Sequence, residues 1–306
     1  MELLMSSPRG FCAGVERAIK VVDEALELLP HPIYVNHEIV HNSHVIKNFQ
    51  DKGVIFVEGI QDVPQGSTLI FNAHGVPPSL VQAAKDKELR VIDATCPLVS
   101  KVHFEAIRYA KNDFDIILIG HEGHPEVVGV TGEAPDKIHL VETPEDVAKL
   151  PFAEDHKLAY ITQTTLSVDD CEEVVVELRK RYPNIQVPKK SDICYATTNR
   201  QAAIKKISTD ADIVLVVGSR NSSNSNRLRE VAENAGTPAH LVNDKSELQA
   251  NWFSGSEKVG ITAGASTPED IIDGVTDWLK DKFNVSKCED VVIVEEDEHF
   301  SLPKIG

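Results

Sequence analysis

Three times in this chain a cysteine stands where a turn or an apolar strand gives way to a helical pattern, and the elements after it recur in the same order. The first instance is Pro8-Arg9-Gly10-Phe11-Cys12-Ala13-Gly14, after which Val15, Ala18, Ile19, Val22, Ala25 and Leu26 repeat at helical spacing. The second runs through Val91-Ile92-Asp93-Ala94-Thr95-Cys96-Pro97 into a helix carrying Val102, Ile107 and Ala110. Pro97 sits where first-turn proline is favoured. The third runs from Asn184-Ile185-Gln186-Val187 through Asp192-Ile193-Cys194-Tyr195, and its helix continues through Ala203, Ile204 and Ile207. Cys171, early in a helical run, and Cys288, near the C-terminal end, lack this setting.

Each helix leads to an apolar strand with a polar tip. The strands are Ile33 to Asn36, Asp115 to Ile119 and Ile213 to Val217; their tips hold His37 to Asn42, His121 to Glu126 and Ser219 to Asn224. A helix-sized segment, a short strand and an acidic turn come next. A last strand then ends in a second tip, at Asn72-Ala73-His74-Gly75, Gln163-Thr164-Thr165 and Gly264-Ala265-Ser266. The chain therefore reads as an internal triplication with a period of roughly 85 to 100 residues, the size of a small domain. Continuous apolar strands alternating with helices predict an α/β fold of parallel sheets buried on both faces. Ligand sites in such sheets lie beyond the carboxyl ends of the strands, where both tips fall. The parsimonious assembly is three α/β lobes about a pseudo-threefold axis, over residues 1–96, 97–193 and 194–283, with a tail at 284–306 and the cysteines facing a shared centre.

Composition narrows the chemistry. A net charge of −17 argues against a nucleic-acid backbone as partner. No apolar run nears the roughly 18 residues of a membrane span. The start Met1-Glu2-Leu3-Leu4-Met5 lacks a secretory pattern, so a cytoplasmic location is expected. Five widely spaced cysteines with no CxxC pair point away from disulfides and zinc knuckles.

A thiol at a helix start meets free N–H groups and the positive end of the helix dipole, which favour thiolate. Three such thiolates are one short of the four that close a cubane iron–sulfur cluster. The shortage leaves one iron open to substrate. A zinc ion on the same cysteines is the competing reading, and it is redox-silent. His41, His74 and His124, with Ser222, Ser223, Asn224 and Ser266, form a donor set suited to phosphate or diphosphate. Walker and Rossmann glycine patterns are absent. Glu126 could deliver protons as a general acid, with Thr164 orienting it or a substrate hydroxyl.

At these residues the chain resembles the 4-hydroxy-3-methylbut-2-enyl diphosphate reductase family of the non-mevalonate isoprenoid pathway. The likeness is carried by Pro-Arg-Gly-Phe-Cys-Ala-Gly-Val at 8–15, Asn-Ala-His-Gly-Val at 72–76, Asp-Ala-Thr-Cys-Pro at 93–97 and Gly-His-Glu-Gly-His-Pro-Glu at 120–126. It continues at 162–167, 192–201, 219–225 and 262–268, so it covers almost the whole chain. The resemblance implies a trefoil of lobes around a [4Fe–4S] cluster ligated by Cys12, Cys96 and Cys194, a cluster that can also be found as [3Fe–4S]. It implies diphosphate binding by His41, His74, His124, Ser222, Asn224 and Ser266, with Ser223 beside them. Thr164 and Glu126 then face the substrate hydroxyl, with Glu126 as proton source. The implied reaction removes an allylic hydroxyl with two electrons and two protons, the electrons coming from a ferredoxin or flavodoxin. A non-redox cluster hydro-lyase, which needs no reductant, and a cluster-bearing sensor are the alternatives.

Overall fold

Burial on both faces decides which segments become strands. In Ile213–Val217 every residue is buried, and alternate side chains enter different cores. A computed structural model describes residues 1–305. The first repeat comprises β1 (Glu2–Ser7), α1 (Ala13–Leu28), β2 (Ile33–Asn36), α2 (Ser43–Asp51), β3 (Ile55–Val57), β4 (Thr68–Phe71) and α3 (Pro78–Asp86). The second comprises β5 (Arg90–Asp93), α4 (Pro97–Lys111), β6 (Asp115–Ile119), α5 (Pro125–Thr131), β7 (Ile138–Val141), α6 (Pro144–Val147), β8 (Leu158–Thr162) and α7 (Val168–Arg181). The third comprises α8 (Tyr195–Ser208), β9 (Ile213–Val217), α9 (Ser223–Asn234), β10 (Ala239–Val242), β11 (Lys258–Ala263), α10 (Glu269–Lys282) and β12 (Lys287–Val292). The expected α/β class with parallel sheets is what forms. The helices α3 and α10, which carry the chain from the second tip towards the next strand, are an addition to the repeat as read from sequence, and α7 is the helical run expected around Cys171.

The chain divides into two compact units. The first holds Met1–Glu16, His41–Asn48 and Tyr195–His299, and contains the parallel sheet β10-β9-β11-β1-β12. Its odd-numbered side chains Ile213, Leu215, Val217, Val259 and Ile261 meet Ile272, Val275 and Leu279 of α10. On the other face Val214 and Val216 meet Ile204 and Ile207 of α8 and Leu228 and Val231 of α9. Each such side chain contributes about 1.5–3 kcal/mol when fully buried.

The second unit holds Arg17–Val40, Phe49–Cys194 and the chain from Phe300 onward. It contains two parallel sheets, β3-β2-β4-β5 and β7-β6-β8. Around the latter, Ile117, Ile119 and Leu158 face α7, while Ile116, Leu118 and Ile161 face α4 and α5.

The strand leading to each cysteine pairs with the last strand of the preceding repeat. β5, before Cys96, pairs with β4. Gln186, before Cys194, bridges Ala159 of β8. β1, before Cys12, pairs with β11 of the third repeat. The sequence 184–187 shrinks from the expected strand to this one bridge because Pro183 and Pro188 flank it and neither can donate a ladder hydrogen bond. The tail supplies β12, which runs parallel to β1 from Glu2↔Lys287 to Ser7↔Val292. Among the described residues no helix is long and apolar enough to cross a membrane.

Candidate active site

The three repeat cysteines form no disulfide, are half-buried and are held alike. Cys96 caps α4, and Cys12 and Cys194 immediately precede α1 and α8. The backbone N–H of Cys96 donates to Ala73 O (2.9 Å), that of Cys194 to Thr164 O (3.0 Å) and that of Cys12 to Ala265 O (3.2 Å). Each acceptor lies two residues past the end of its strand, β4, β8 or β11. The strand tips thus set the cysteine main chain identically three times. Cys171 differs: it is buried among apolar side chains, and burial, with Glu172, Asp192 and Asp170 nearby, pushes its thiol up to about 12. A proton held that firmly makes it a poor ligand. Cys288 is exposed on β12. Among the described residues no three His, Cys, Asp or Glu side chains gather tightly enough to hold a single metal ion.

In the second unit stand Cys96, Cys194, His74, His124, Glu126 and Thr164. Asn72 shapes the tip after β4: its Oδ1 accepts from His74 N (2.8 Å) while its Nδ2 donates to Asn36 O (3.0 Å). The rings of His74 and His124 meet edge to face, centroids 6.0 Å apart. His124 caps α5, its Nδ1 accepting from Glu126 N (3.2 Å). A backbone N–H can act only as donor, so Nδ1 carries the lone pair and the ring proton sits on Nε2. His124 therefore offers a donor at Nε2.

Glu126 is 4 % exposed. Its Oε2 accepts from Thr164 N (2.9 Å) and its Oε1 from Thr164 Oγ1 (2.9 Å). Burial pushes its carboxyl up to about 7, against the opposing pull of Thr164's two donors. At neutral pH it is poised between acid and base. Thr164 occupies the tip position that is alanine in the other repeats, Ala73 and Ala265.

In the first unit stand Cys12, His41, Ser222, Ser223, Asn224 and Ser266. Ser222 caps α9 and accepts from Ser225 N (3.3 Å); Ser223 opens the helix. Ser225 Oγ packs so tightly between the ends of β9 and β11 that a Cβ on Gly218 or Gly264 would clash with it. Glycine at both strand ends leaves that hydroxyl its place. Asn224 is 4 % exposed; its Oδ1 accepts from Ala265 N (3.0 Å), and its Nδ2 has no acceptor among the described residues. Ser266 Oγ donates to His41 O (2.9 Å), fixing the buried His41 main chain. Hydroxyls, an unspent amide N–H and the N-terminus of a three-turn helix together make an anion-binding environment.

The sequence profile of the family described as "LytB protein" matches residues 3–280. The chain belongs to the LytB family. It is 52% identical to the 4-hydroxy-3-methylbut-2-enyl diphosphate reductase of Rhodopirellula baltica, over 99% of this chain and 95% of that protein. It is 48% identical to the reductase of that name from Haemophilus influenzae, over 99% and 98%. The solved structure of the E-1-hydroxy-2-methyl-but-2-enyl-4-diphosphate reductase from Plasmodium falciparum superimposes with a TM-score of 0.97 at 44% identity, over 99% of this chain and 95% of that one.

Several residues that shape the site in this LytB chain escape a motif reading. Asn72 and Gln163 each come directly after a strand end and brace their tips; Gln163 Oε1 accepts from His121 N (3.0 Å) and its Nε2 donates to Thr165 Oγ1 (2.8 Å). An amide at the same repeat position was the available signal. Arg200, wholly buried, donates to Gly10 O (2.8 Å) and pairs with Glu296 (3.1 Å). No periodicity reveals that a helical arginine will turn inward.

Proposed function

We propose that this chain reduces 4-hydroxy-3-methylbut-2-enyl diphosphate to isopentenyl diphosphate and dimethylallyl diphosphate in the cytoplasm. The buried Glu126–Thr164 pair carries the reading: an acid near 7 beside donor-rich tips, in a chain whose full-length relatives bear the name of this reductase. Three reduced cysteines on identically anchored helix starts are a soft donor set that suits an iron–sulfur cluster, and Cys12, Cys96 and Cys194 would be its ligands. When bound, a [4Fe–4S] cluster with one open iron supplies single electrons and Lewis acidity.

The chain's own residues do the rest. His41, His74, His124, Ser222, Ser223, Asn224 and Ser266 donate hydrogen bonds to the diphosphate, and the histidines need no net charge to do so. Thr164 orients Glu126 and the substrate hydroxyl. Of the two protons consumed, one leaves with the hydroxyl as water and the other ends on the allyl carbon. Glu126 supplies them from its protonated form, which it holds below about pH 7. The two electrons come from a ferredoxin or flavodoxin.

An oxygen-free assay with the hydroxylated diphosphate and a reduced viologen tests this. Both products should form, by a protein that is brown as purified. Cys12→Ser, Cys96→Ser and Cys194→Ser should each lose colour and turnover, while Cys171→Ser and Cys288→Ser keep both. A colourless, iron-free chain with full turnover overturns the cluster reading, and a brown chain inert toward this substrate overturns the reaction.

A further inference from the structure

Each cysteine-bearing helix carries a cation that turns to the loop leading into the next cysteine. Arg17, five residues after Cys12, donates from Nη1 to Thr95 O (3.0 Å), the carbonyl just before Cys96, and from Nε to Ser301 O (2.9 Å). Lys101, five residues after Cys96, donates to Lys190 O (2.9 Å), Ser191 O (3.0 Å) and Asp192 Oδ1 (2.8 Å), on the approach to Cys194. Arg200, six residues after Cys194, donates from Nη2 to Gly10 O (2.8 Å), on the approach to Cys12. The series runs in the order of the cysteines and returns to the first.

We propose that Arg17, Lys101 and Arg200 are positioning residues, each clamping the loop of one cluster ligand: Cys96, Cys194 and Cys12 in that order. The proposal rests on the reading of those cysteines as ligands. Main-chain carbonyls in a loop have no ladder to join, and a cation satisfies several at once. Burying a guanidinium wholly is costly unless its donors are satisfied, so a packing role alone would favour an apolar side chain at Arg200. Arg200 instead gives its two terminal nitrogens to Gly10 O, Ala196 O and the carboxylate of Glu296, and only its Nε lacks an acceptor among the described residues. Asn199, at the five-residue position, reinforces it by donating to Glu296 Oε1 (3.0 Å). The Lys101 clamp is tied to the sheet, because the other oxygen of Asp192 accepts from Thr162 N (3.0 Å) at the end of β8. Beyond β12 the tail serves two of the clamps, through Glu296 and Ser301.

The test uses the full-length brown protein without oxygen, challenged with an iron chelator and a thiol-alkylating label. Mass spectrometry tracks each cysteine separately. Opening one charge-assisted clamp should speed labelling of its own cysteine by about tenfold over the other two. Arg17→Met should expose Cys96 first, Lys101→Met Cys194, and Arg200→Met Cys12. Lys101→Arg should restore the wild-type order. Glu296→Gln, which leaves Arg200 in place, should also favour Cys12, and it reads that clamp if Arg200→Met does not fold. All three cysteines speeding up together, the wrong cysteine leading, or an unchanged order overturns the clamps. A wild-type chain that purifies without iron or colour refutes the cluster reading instead, and labelling of that iron-free chain still decides the clamps.

Discussion

The starts of α5 and α9 are built on one plan and carry opposite chemistry. His124-Pro125-Glu126 and Ser222-Ser223-Asn224 each comprise a capping residue and the first two residues of the helix. In each, the third side chain is 4 % exposed and accepts from the main-chain N–H two residues past a strand: Thr164 N to Glu126, Ala265 N to Asn224. The difference lies in the remaining atom. Oε1 of Glu126 takes a hydroxyl from Thr164, which Ala265 cannot offer. Nδ2 of Asn224 is a permanent donor. On the proposed function, exchanging a carboxyl for an amide in one frame would separate proton delivery from anion binding. A carboxylate at the second position would repel a diphosphate, and an amide at the first could not titrate.

Glu126→Gln makes the two positions alike, and it should have the largest effect: kcat lower by about 10²–10⁴ with KM within a few-fold, in the oxygen-free assay. Near-normal turnover would break the comparison. The reverse change, Asn224→Asp, places a like charge against the diphosphate and should weaken binding of the product diphosphate about a hundredfold by calorimetry. Unchanged affinity would move the anion elsewhere.

The third test is stability. The carboxyl of Glu126 is raised from 4.5 to about 7, so the folded state binds the proton more tightly than the unfolded state. Stability should therefore fall as pH rises from about 4.5 to about 7 and then level off, by about 3 kcal/mol at most. Glu126→Gln should lessen that slope in urea unfolding of the iron-free chain at pH 5 and pH 8, leaving the share of Glu105, whose carboxyl burial also pushes up to about 7. Thr164→Ala, which gives the second repeat the alanine of the other two, should have the smallest effect. Losing a donor to the carboxylate raises the Glu126 pKa further. The alkaline limb of the kcat profile should shift to higher pH, with kcat down about tenfold.

Much of this arrangement is legible in the chain because its period-three logic is local. A cysteine at a helix start, a strand and a polar tip can each be read from a dozen residues, and Thr164 stands out against Ala73 and Ala265 once the repeats are set in register. What stays hidden is non-local. Nothing in Glu2–Ser7 announces that β11, near the other end of the chain, is its neighbour. Val291 and Val292 are apolar enough for a strand, yet their pairing with Ser6 and Ser7 depends on β1 having already taken the place beside β11. Arg200 looks like the solvent face of an amphipathic helix until Gly10 and Glu296 arrive from opposite ends of the chain.

The place of β1 has a consequence for how the chain is made. Cys12 leaves the ribosome well before its anchoring carbonyl on Ala265, which emerges about 250 residues later, or roughly 12–50 seconds at ordinary elongation rates. The β5 strand of Cys96, by contrast, pairs with a strand that has just emerged. The first thiol synthesised is thus the last to gain its support, and a nascent chain released early presents two anchored thiols and one adrift. The three-thiol set gains its last anchor only once β11 and Ala265 have been made.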